Sequence, residues 1–134
     1  MNQAKPEKGR CPVEATLALI NGKWKLLILK ALSQGPVRYL QLERTVERIS
    51  AKVLTQQLRE MEADGLISRT IYPEIPPRVE YALTEMGVSI FTIFGEMRRW
   101  GLLQQDQLGT VCRQCQNCRP VPVETKAEAN AASA

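Results

Sequence analysis

Residues 50–84 read SAKVLTQQLREMEADGLISRTIYPEIPPRVEYALT, and the spacing of the apolar side chains changes within this stretch. Up to Gly65 the apolar positions follow one another every three or four residues, which predicts a helix. Ser50 is a favourable N-cap for that helix and Gly65 a favourable C-terminal stop. Beyond Gly65 apolar and polar residues alternate, which predicts two short strands joined by the proline-rich tip PEIPP. The stretch therefore predicts a helix followed directly by a β-hairpin.

The helix that begins at Ser50 has an apolar face and a polar face. Leu54, Leu58 and Met61 lie above one another on the apolar face. The opposite face carries Lys52, Thr55, Gln56 and Arg59. A helix fits the major groove of B-DNA, where Arg and Lys bond to guanine, Gln to adenine and Thr to a thymine methyl group or a phosphate. The polar face is therefore a candidate DNA-reading surface; the alternative is an ordinary solvated helix face.

Three shorter helical patterns precede this one. Pro12 suits the first position of a helix that has Cys11 at its N-cap and stops at Asn21-Gly22. The buried face predicted for the second helix consists of Trp24, Leu27, Ile28, Ala31 and Leu32. Leu42, Val46 and Ile49 predict a short third helix. Helices packed around a tight turn and followed by a hairpin predict a mainly α fold with a small β-hairpin, the winged helix-turn-helix.

Residues 84–103, TEMGVSIFTIFGEMRRWGLL, predict a long helix that Thr84 caps. Ile90, Phe94 and Met97 form one apolar stripe, and further apolar side chains lie outside it: Phe91, Ile93 and Trp100. A small domain buries one apolar stripe of a helix and has little room for a helix at its centre. The apolar side chains outside that stripe therefore favour contact with a partner chain over burial within the same domain. We expect a homodimer that forms through the terminal helices.

Composition narrows the functional classes. The chain has 134 residues, a formal net charge of +4 and no histidine. The modest positive charge permits a polyanionic partner. Histidine is the commonest general base in enzymes, so its absence disfavours an enzymatic function. No apolar run approaches the ~18 residues of a membrane span, and the charged N-terminus does not resemble a signal peptide. We expect a cytoplasmic, non-enzymatic protein without cofactor or membrane association.

Composition also predicts how the chain is organised. Residues 1–10 are polar and are expected to be a flexible N-terminal segment, and residues 11–103 form the predicted DNA-binding and dimerisation domain. Residues 104–134 form the predicted cysteine-containing extension and tail, in which large apolar side chains are scarce after residue 118.

The four cysteines allow several roles. Cys112, Cys115 and Cys118 are spaced three residues apart, and Cys11 lies far from them in sequence. Three thiolates could bind zinc or an iron–sulfur cluster, with Cys11 or a non-cysteine group as fourth ligand. Alternatively the four could sense oxidants, or have no function. At a helix N-terminus with basic neighbours, Cys11 has surroundings that favour a thiolate, although it could also be a small buried residue at a dimer interface.

Three runs in this order closely resemble the HxlR-type winged helix-turn-helix transcriptional regulators: CPVEATLALINGKWKLLILKAL (11–32), LTQQLREMEADGLI (54–67) and PPRVEYALTEMG (76–87). The resemblance spans roughly residues 11–101 and implies a homodimer that binds pseudo-palindromic double-stranded DNA. It assigns recognition-helix roles to Ser50, Lys52, Thr55, Gln56 and Arg59, a wing role to Arg78, and a basic site to Lys23 and Lys25. It also implies oxidant or electrophile sensing at Cys11.

The sequence departs from the family pattern at three places. The turn before the recognition helix reads VERIS (46–50), where the family commonly has a Pro-Gly step. Leu40 stands where a helix-capping Ser or Thr is usual, and residues 111–119 have no counterpart in the common pattern.

The functional hypothesis is a sequence-specific transcriptional regulator, a repressor, that responds to redox or electrophile stress or to a small-molecule inducer. In it Cys11 is the sensor and the C-terminal trio supplies resolving thiols, because the implied packing of the last helix on the partner's first helix would bring them close. The alternatives are a metal- or iron–sulfur-responsive regulator that uses the C-terminal cysteines and a winged-helix module for protein contacts.

Overall fold

The computed structural model describes residues 10–108 of the chain. Its elements, in chain order, are α1 (Pro12–Leu19), α2 (Lys23–Ala31), β1 (Val37–Arg38), α3 (Tyr39–Thr45), α4 (Ala51–Ala63), β2 (Ile67–Tyr72), β3 (Arg78–Leu83), α5 (Glu85–Ser89), α6 (Phe91–Leu103) and α7 (Gln105–Leu108). The predicted fold class, mainly α with a winged helix-turn-helix arrangement, is confirmed. The homodimer and the three-part division of the chain stay predictions.

Polar side chains define the starts of two key helices. The Ser50 hydroxyl oxygen accepts a hydrogen bond of 3.1 Å from the Val53 amide at the start of α4. The Thr84 hydroxyl oxygen accepts one of 3.1 Å from the Gly87 amide at the start of α5. Each bond satisfies an amide that the helix itself leaves without a partner. Both predicted N-caps are therefore confirmed.

Two residues in left-handed backbone conformation lie in the segments before and after α4. Gly65 follows α4 with φ of +84°, which glycine adopts without steric cost. In the VERIS turn before α4, Arg48 has φ of +67°. Most residues with a Cβ avoid this region, so Arg48 adopts a backbone conformation that is unfavourable for its residue type.

The core lies between α2, α3, α4 and the sheet. Leu54, Leu58 and Met61 are buried, which confirms the apolar face predicted for α4. In α2 the buried apolar residues are Ile28 and Leu29, and Leu32 is buried just after the helix. Trp24, Leu27 and Ala31 are only partly buried against this core. The buried face predicted for α2 was therefore partly wrong, because it omitted Leu29 and included three residues that are only partly buried.

The sheet has three antiparallel strands in the order β1-β3-β2. β2 and β3 form the predicted hairpin, paired from Ile67 with Leu83 to Tyr72 with Arg78. The expected two-stranded wing is extended by β1, whose Val37 pairs with Tyr81. Two residues are too few to show an alternating pattern, so β1 could not be recognised from the sequence.

The helix predicted over residues 84–103 is divided in two at Ile90. Ile90 and Phe91 are both buried, whereas Met97 is exposed. The predicted stripe was therefore wrong at two positions: Phe91 belongs to the core and Met97 does not. Phe94 lies against Phe91, with ring centroids 5.7 Å apart in an edge-to-face arrangement.

The terminal helices present large apolar side chains to solvent. α1 has no buried residue, and its Val13 and Leu17 are both more than half exposed. The exposed apolar side chains of α6 are Ile93, Met97, Trp100 and Leu103. We call these six residues the terminal apolar face. No helix in residues 10–108 has both the length and the hydropathy needed to cross a membrane.

Candidate nucleic-acid interface

The outer face of α4 is a straight ridge of exposed polar side chains. Lys52, Gln56 and Arg59 are exposed and occupy positions i, i+4 and i+7, so they lie above one another. The face on the other side of α4 is anchored in the core by Leu54, Leu58 and Met61. Because a rigid scaffold holds the helix, the ridge has a defined direction. The structure thus brings together three of the predicted recognition residues.

Two other predicted recognition residues have partners inside the domain. The hydroxyls of Thr55 and Tyr39 are 3.3 Å apart, which links the start of α3 to the side of α4. The oxygen of Ser50 caps α4 through the Val53 amide, although its hydroxyl proton can still be donated. Thr55 lies at the flank of the ridge and is partly buried, so the structure places it as a link between helices α3 and α4.

The placement of Lys25 differs from its predicted role in a basic DNA-contacting site. Its side chain is only 6% exposed, and its Nζ lies 3.2 Å from Oε2 of Glu60 on α4. A buried ammonium that is already paired cannot reach a phosphate without leaving its partner. We correct the prediction for Lys25 on this ground. Lys23, two residues earlier, is exposed, and its Nζ lies 4.4 Å from the centre of the Trp24 ring.

Arg78 at the base of the wing also differs from its predicted role. Its guanidinium lies 4.0 Å from the centre of the Tyr72 ring and 3.3 Å from a carboxylate oxygen of Glu74. Its Nε is 3.7 Å from Glu80, too far for a hydrogen bond, and this buried atom has no other partner among the described residues. Two carboxylates therefore balance the cation, which argues against the expected DNA contact. Arg78 instead links the two strands of the wing.

The sequence interpretation missed a cation beside the ridge. Arg69 on β2 is exposed and is the register partner of Tyr81 on β3. Burial raises the pKa of the Tyr81 hydroxyl, and the positive charges of Arg69 and Arg59 oppose that rise. Both guanidinium groups therefore lie close enough to this hydroxyl for their charges to act on it. The sequence pattern that could have identified Arg69 is the alternation from Ile67 to Ile71, which places Arg69 on the same face of the strand as the buried Ile67.

Of the four cysteines, only Cys11 falls within the described residues. It is a free, exposed thiol at the N-cap position of α1. Its side chain makes no capping hydrogen bond as a thiol. Hydrogen bonding to the backbone amides of Glu14 and Val13 lowers the pKa of the Cys11 thiol below its ordinary value, and slight desolvation opposes this effect. Cys112, Cys115 and Cys118 lie outside the described residues. Within residues 10–108 no cluster of His, Cys, Asp or Glu could hold a metal ion.

The arrangement suits contact with a nucleic acid. α3, the turn at Arg48 and α4 form a helix-turn-helix, and the β2–β3 hairpin follows directly. The ridge of α4 carries donors suited to base edges, and its capped N-terminus is the positive end of the helix dipole. A helix-turn-helix that packs its apolar faces in the core, exposes such a ridge and is followed by a hairpin defines a winged helix-turn-helix DNA-binding protein.

The model of the HxlR-like helix-turn-helix family matches residues 19–108, and the chain belongs to this family. It is 48% identical over 95 residues to the HTH-type transcriptional regulator YtcD of Bacillus subtilis, covering 71% of this chain and 75% of that protein. Over 91 residues it is 46% identical to an HTH-type transcriptional regulator of Methanothermobacter thermautotrophicus, covering 68% of this chain and 70% of that protein. The chain is a transcriptional regulator of the winged-helix type.

Two solved structures extend the comparison. The redox regulator HypR in its reduced form is 42% identical with a TM-score of 0.67, and the match covers 73% of this chain and 97% of HypR. The reduced form of the transcriptional regulator YodB from Bacillus subtilis is 34% identical with a TM-score of 0.67, covering 75% of this chain and 99% of YodB. The predicted HxlR membership is thus confirmed.

Proposed function

We propose that this regulator is a sequence-specific repressor that binds a pseudo-palindromic operator as a homodimer, with α4 of each subunit in the major groove. The observation that carries the proposal is the exposed ridge of Lys52, Gln56 and Arg59 on a helix whose opposite face is anchored in the core. Arg59 and Lys52 are suited to guanine and Gln56 to adenine. Repression follows if the operator overlaps a promoter, because the bound dimer would exclude the polymerase.

Phosphate contacts complete the proposed interface. Lys23 and Arg69 are exposed cations outside the ridge, and the hydroxyl proton of Ser50 is available at the N-terminus of α4. Contacts of this kind orient a protein on the duplex without reading its sequence. We therefore assign sequence reading to the ridge and general affinity to these flanking groups.

Alanine replacement of Gln56 or Arg59 is expected to cost about 1–3 kcal/mol in binding to the operator, because each change removes a base contact. Affinity for random DNA should change much less. The operator can be obtained by footprinting the promoter beside the regulator's own gene, and the affinities by fluorescence anisotropy at several salt concentrations. Arg99→Ala is the matched control, because Arg99 is an exposed arginine on α6 that pairs with Glu96. If Gln56→Ala and Arg59→Ala bind the operator as well as this control, the assignment of α4 is wrong.

We further propose that DNA binding is regulated through oxidation of Cys11. Support comes from the similarity to HypR, a redox regulator with reduced and oxidized structures, and from the exposed Cys11 thiol at the start of α1. The Cys11 thiolate would attack a peroxide, forming a sulfenic acid and releasing water or an alcohol. A thiol of Cys112, Cys115 or Cys118 would then displace water from the sulfenic acid and form a disulfide.

The lowered pKa of Cys11 has a testable consequence. In a variant with serine at positions 112, 115 and 118, Cys11 of the folded protein should react with iodoacetamide at neutral pH faster than Cys11 of the urea-unfolded protein, because a larger fraction is thiolate. The rate should rise with pH and level off at a lower pH in the folded protein than in the unfolded one. In the native chain, Cys11→Ser should abolish the loss of operator binding that diamide causes. A Cys11→Ser protein that still loses and regains DNA binding like the wild type would exclude Cys11 as the sensor.

A further inference from the structure

Within residues 10–108 Lys25 is a charged side chain that the fold buries, and it is in contact with the recognition helix. Its Nζ lies 3.2 Å from Oε2 of Glu60, whose own side chain is 23% exposed. Lys25 belongs to α2, and Glu60 lies on α4 one residue after Arg59. The ion pair therefore joins α2 directly to the helix that carries the ridge.

Burying a lysine is costly unless its charge is compensated. An apolar side chain of similar length would fill the same space without desolvating two charges. The pair is therefore a poor way to gain stability, but it is directional in a way that apolar contacts are not. Leu54, Leu58 and Met61 hold α4 against the core, and their non-directional contacts tolerate small rotations of the helix about its axis.

The ion pair lies where it can limit such rotation. On the helical wheel of α4, Glu60 flanks the ridge on one side and Thr55 flanks it on the other. Thr55 is linked to α3 through the Tyr39 hydroxyl, and Glu60 is linked to α2 through Lys25. Polar contacts thus hold α4 at both flanks of its exposed ridge. A rotation of α4 would move Gln56 and Arg59 together and would lengthen at least one of these contacts.

We propose that the Lys25–Glu60 ion pair positions α4 for base reading, and that Lys25 acts on DNA specificity without contacting DNA. The proposal rests on the DNA-reading role proposed for α4. It assigns Lys25 a function different from the basic DNA-contacting site that the family resemblance implies. Lys25 and Glu60 are accordingly positioning residues, and Gln56 and Arg59 make the contacts.

The test compares K25M, E60Q and the double variant K25M/E60Q with the wild type. Methionine keeps an unbranched side chain, one atom shorter than lysine, and removes the ammonium group. Glutamine has the shape of Glu60 and removes its charge. K23M is the matched control, because Lys23 is an exposed lysine on the same helix. For each protein, affinity for the operator and for random DNA is measured over a range of salt concentrations. Thermal unfolding of the same samples identifies the temperature range in which each variant is folded.

K25M and E60Q should each lower operator affinity about tenfold, the size expected for a pair coupled by roughly 1.4 kcal/mol. Random-DNA affinity and the salt slope should stay at their wild-type values. The double variant should bind no worse than the weaker single variant, because both changes remove the same contact. K23M should instead weaken binding to both DNAs and reduce the salt slope by about 0.9, the effect of losing one phosphate contact.

Each of the following results would overturn the inference. A K25M protein that loses affinity for all DNA, with a salt slope reduced by about 0.9, would make Lys25 a phosphate contact. Additive losses in the double variant would show that the residues act separately. Lower thermal stability with unchanged operator preference would leave the pair a purely structural role. A wild-type protein that does not prefer the operator over random DNA would overturn the proposed function together with this inference. If K25M prefers the operator as strongly as the wild type does, this inference alone is overturned.

Discussion

Replacing Gly87 by alanine is expected to lower the free energy of unfolding by about 3 kcal/mol, near the upper end for overpacking a core. A Cβ at this position would overlap the carbonyl oxygen of Leu66 and would lie 3.3 Å from Cδ2 of Leu83. The obstacle is backbone, so no side-chain rotation can relieve it. Leu66 is fully buried, and its carbonyl oxygen accepts a hydrogen bond of 3.1 Å from the Thr84 amide.

The matched control for Gly87→Ala is Gly95→Ala. Gly95 lies inside α6, and a Cβ there would meet nothing within 4 Å in the single chain. Alanine favours a helix interior over glycine, so this change should be neutral or stabilising by up to about 1 kcal/mol. Urea unfolding at one fixed protein concentration measures both variants. A Gly87→Ala protein as stable as the wild type would mean that α5 is not in close contact with Leu66.

Aspartate at both Met97 and Trp100 is expected to convert the proposed dimer into a folded monomer and to lower operator affinity by about 10²–10⁴. These two residues are 52% and 58% exposed in the single chain and belong to the terminal apolar face. Burying aspartate there against a second copy would leave unpaired charges in an apolar interface. A monomer would also lose the linkage between two recognition helices that bind half-sites one DNA turn apart.

Analytical sedimentation measures the oligomeric state of this variant, and circular dichroism shows whether it is folded. Leu40→Asp is the control for the oligomeric state, because Leu40 is a comparably exposed apolar residue on α3. Truncation before Ile90 would be a poorer test, since it removes Ile90 and Phe91 from the core of the single chain. If the wild type is a well-folded monomer at micromolar concentration, the dimer and the two-half-site operator are both wrong.

Much of α4 could be predicted because its determinants are local. The spacing of Leu54, Leu58 and Met61 defines the buried face of a helix of this length, and the positions opposite to them form the exposed ridge. The same holds for Ser50 and Thr84, whose hydroxyls bond to amides three residues later. Helix-capping and helical periodicity act within one or two turns, so both are visible in the order of the residues.

Tertiary structure decided which individual charged and hydroxyl side chains are buried or paired and which are exposed. Lys25 and Lys23 look alike in the sequence, but only Lys25 faces Glu60, a residue on a distant helix. Arg78 is balanced by Glu74 and Glu80 once the hairpin forms, as two ion pairs show. The sequence alone determined that this chain folds as a winged helix-turn-helix with a polar face on α4. Only the tertiary structure decided which of its charged groups are buried or paired, because both depend on where the folded chain places each side chain.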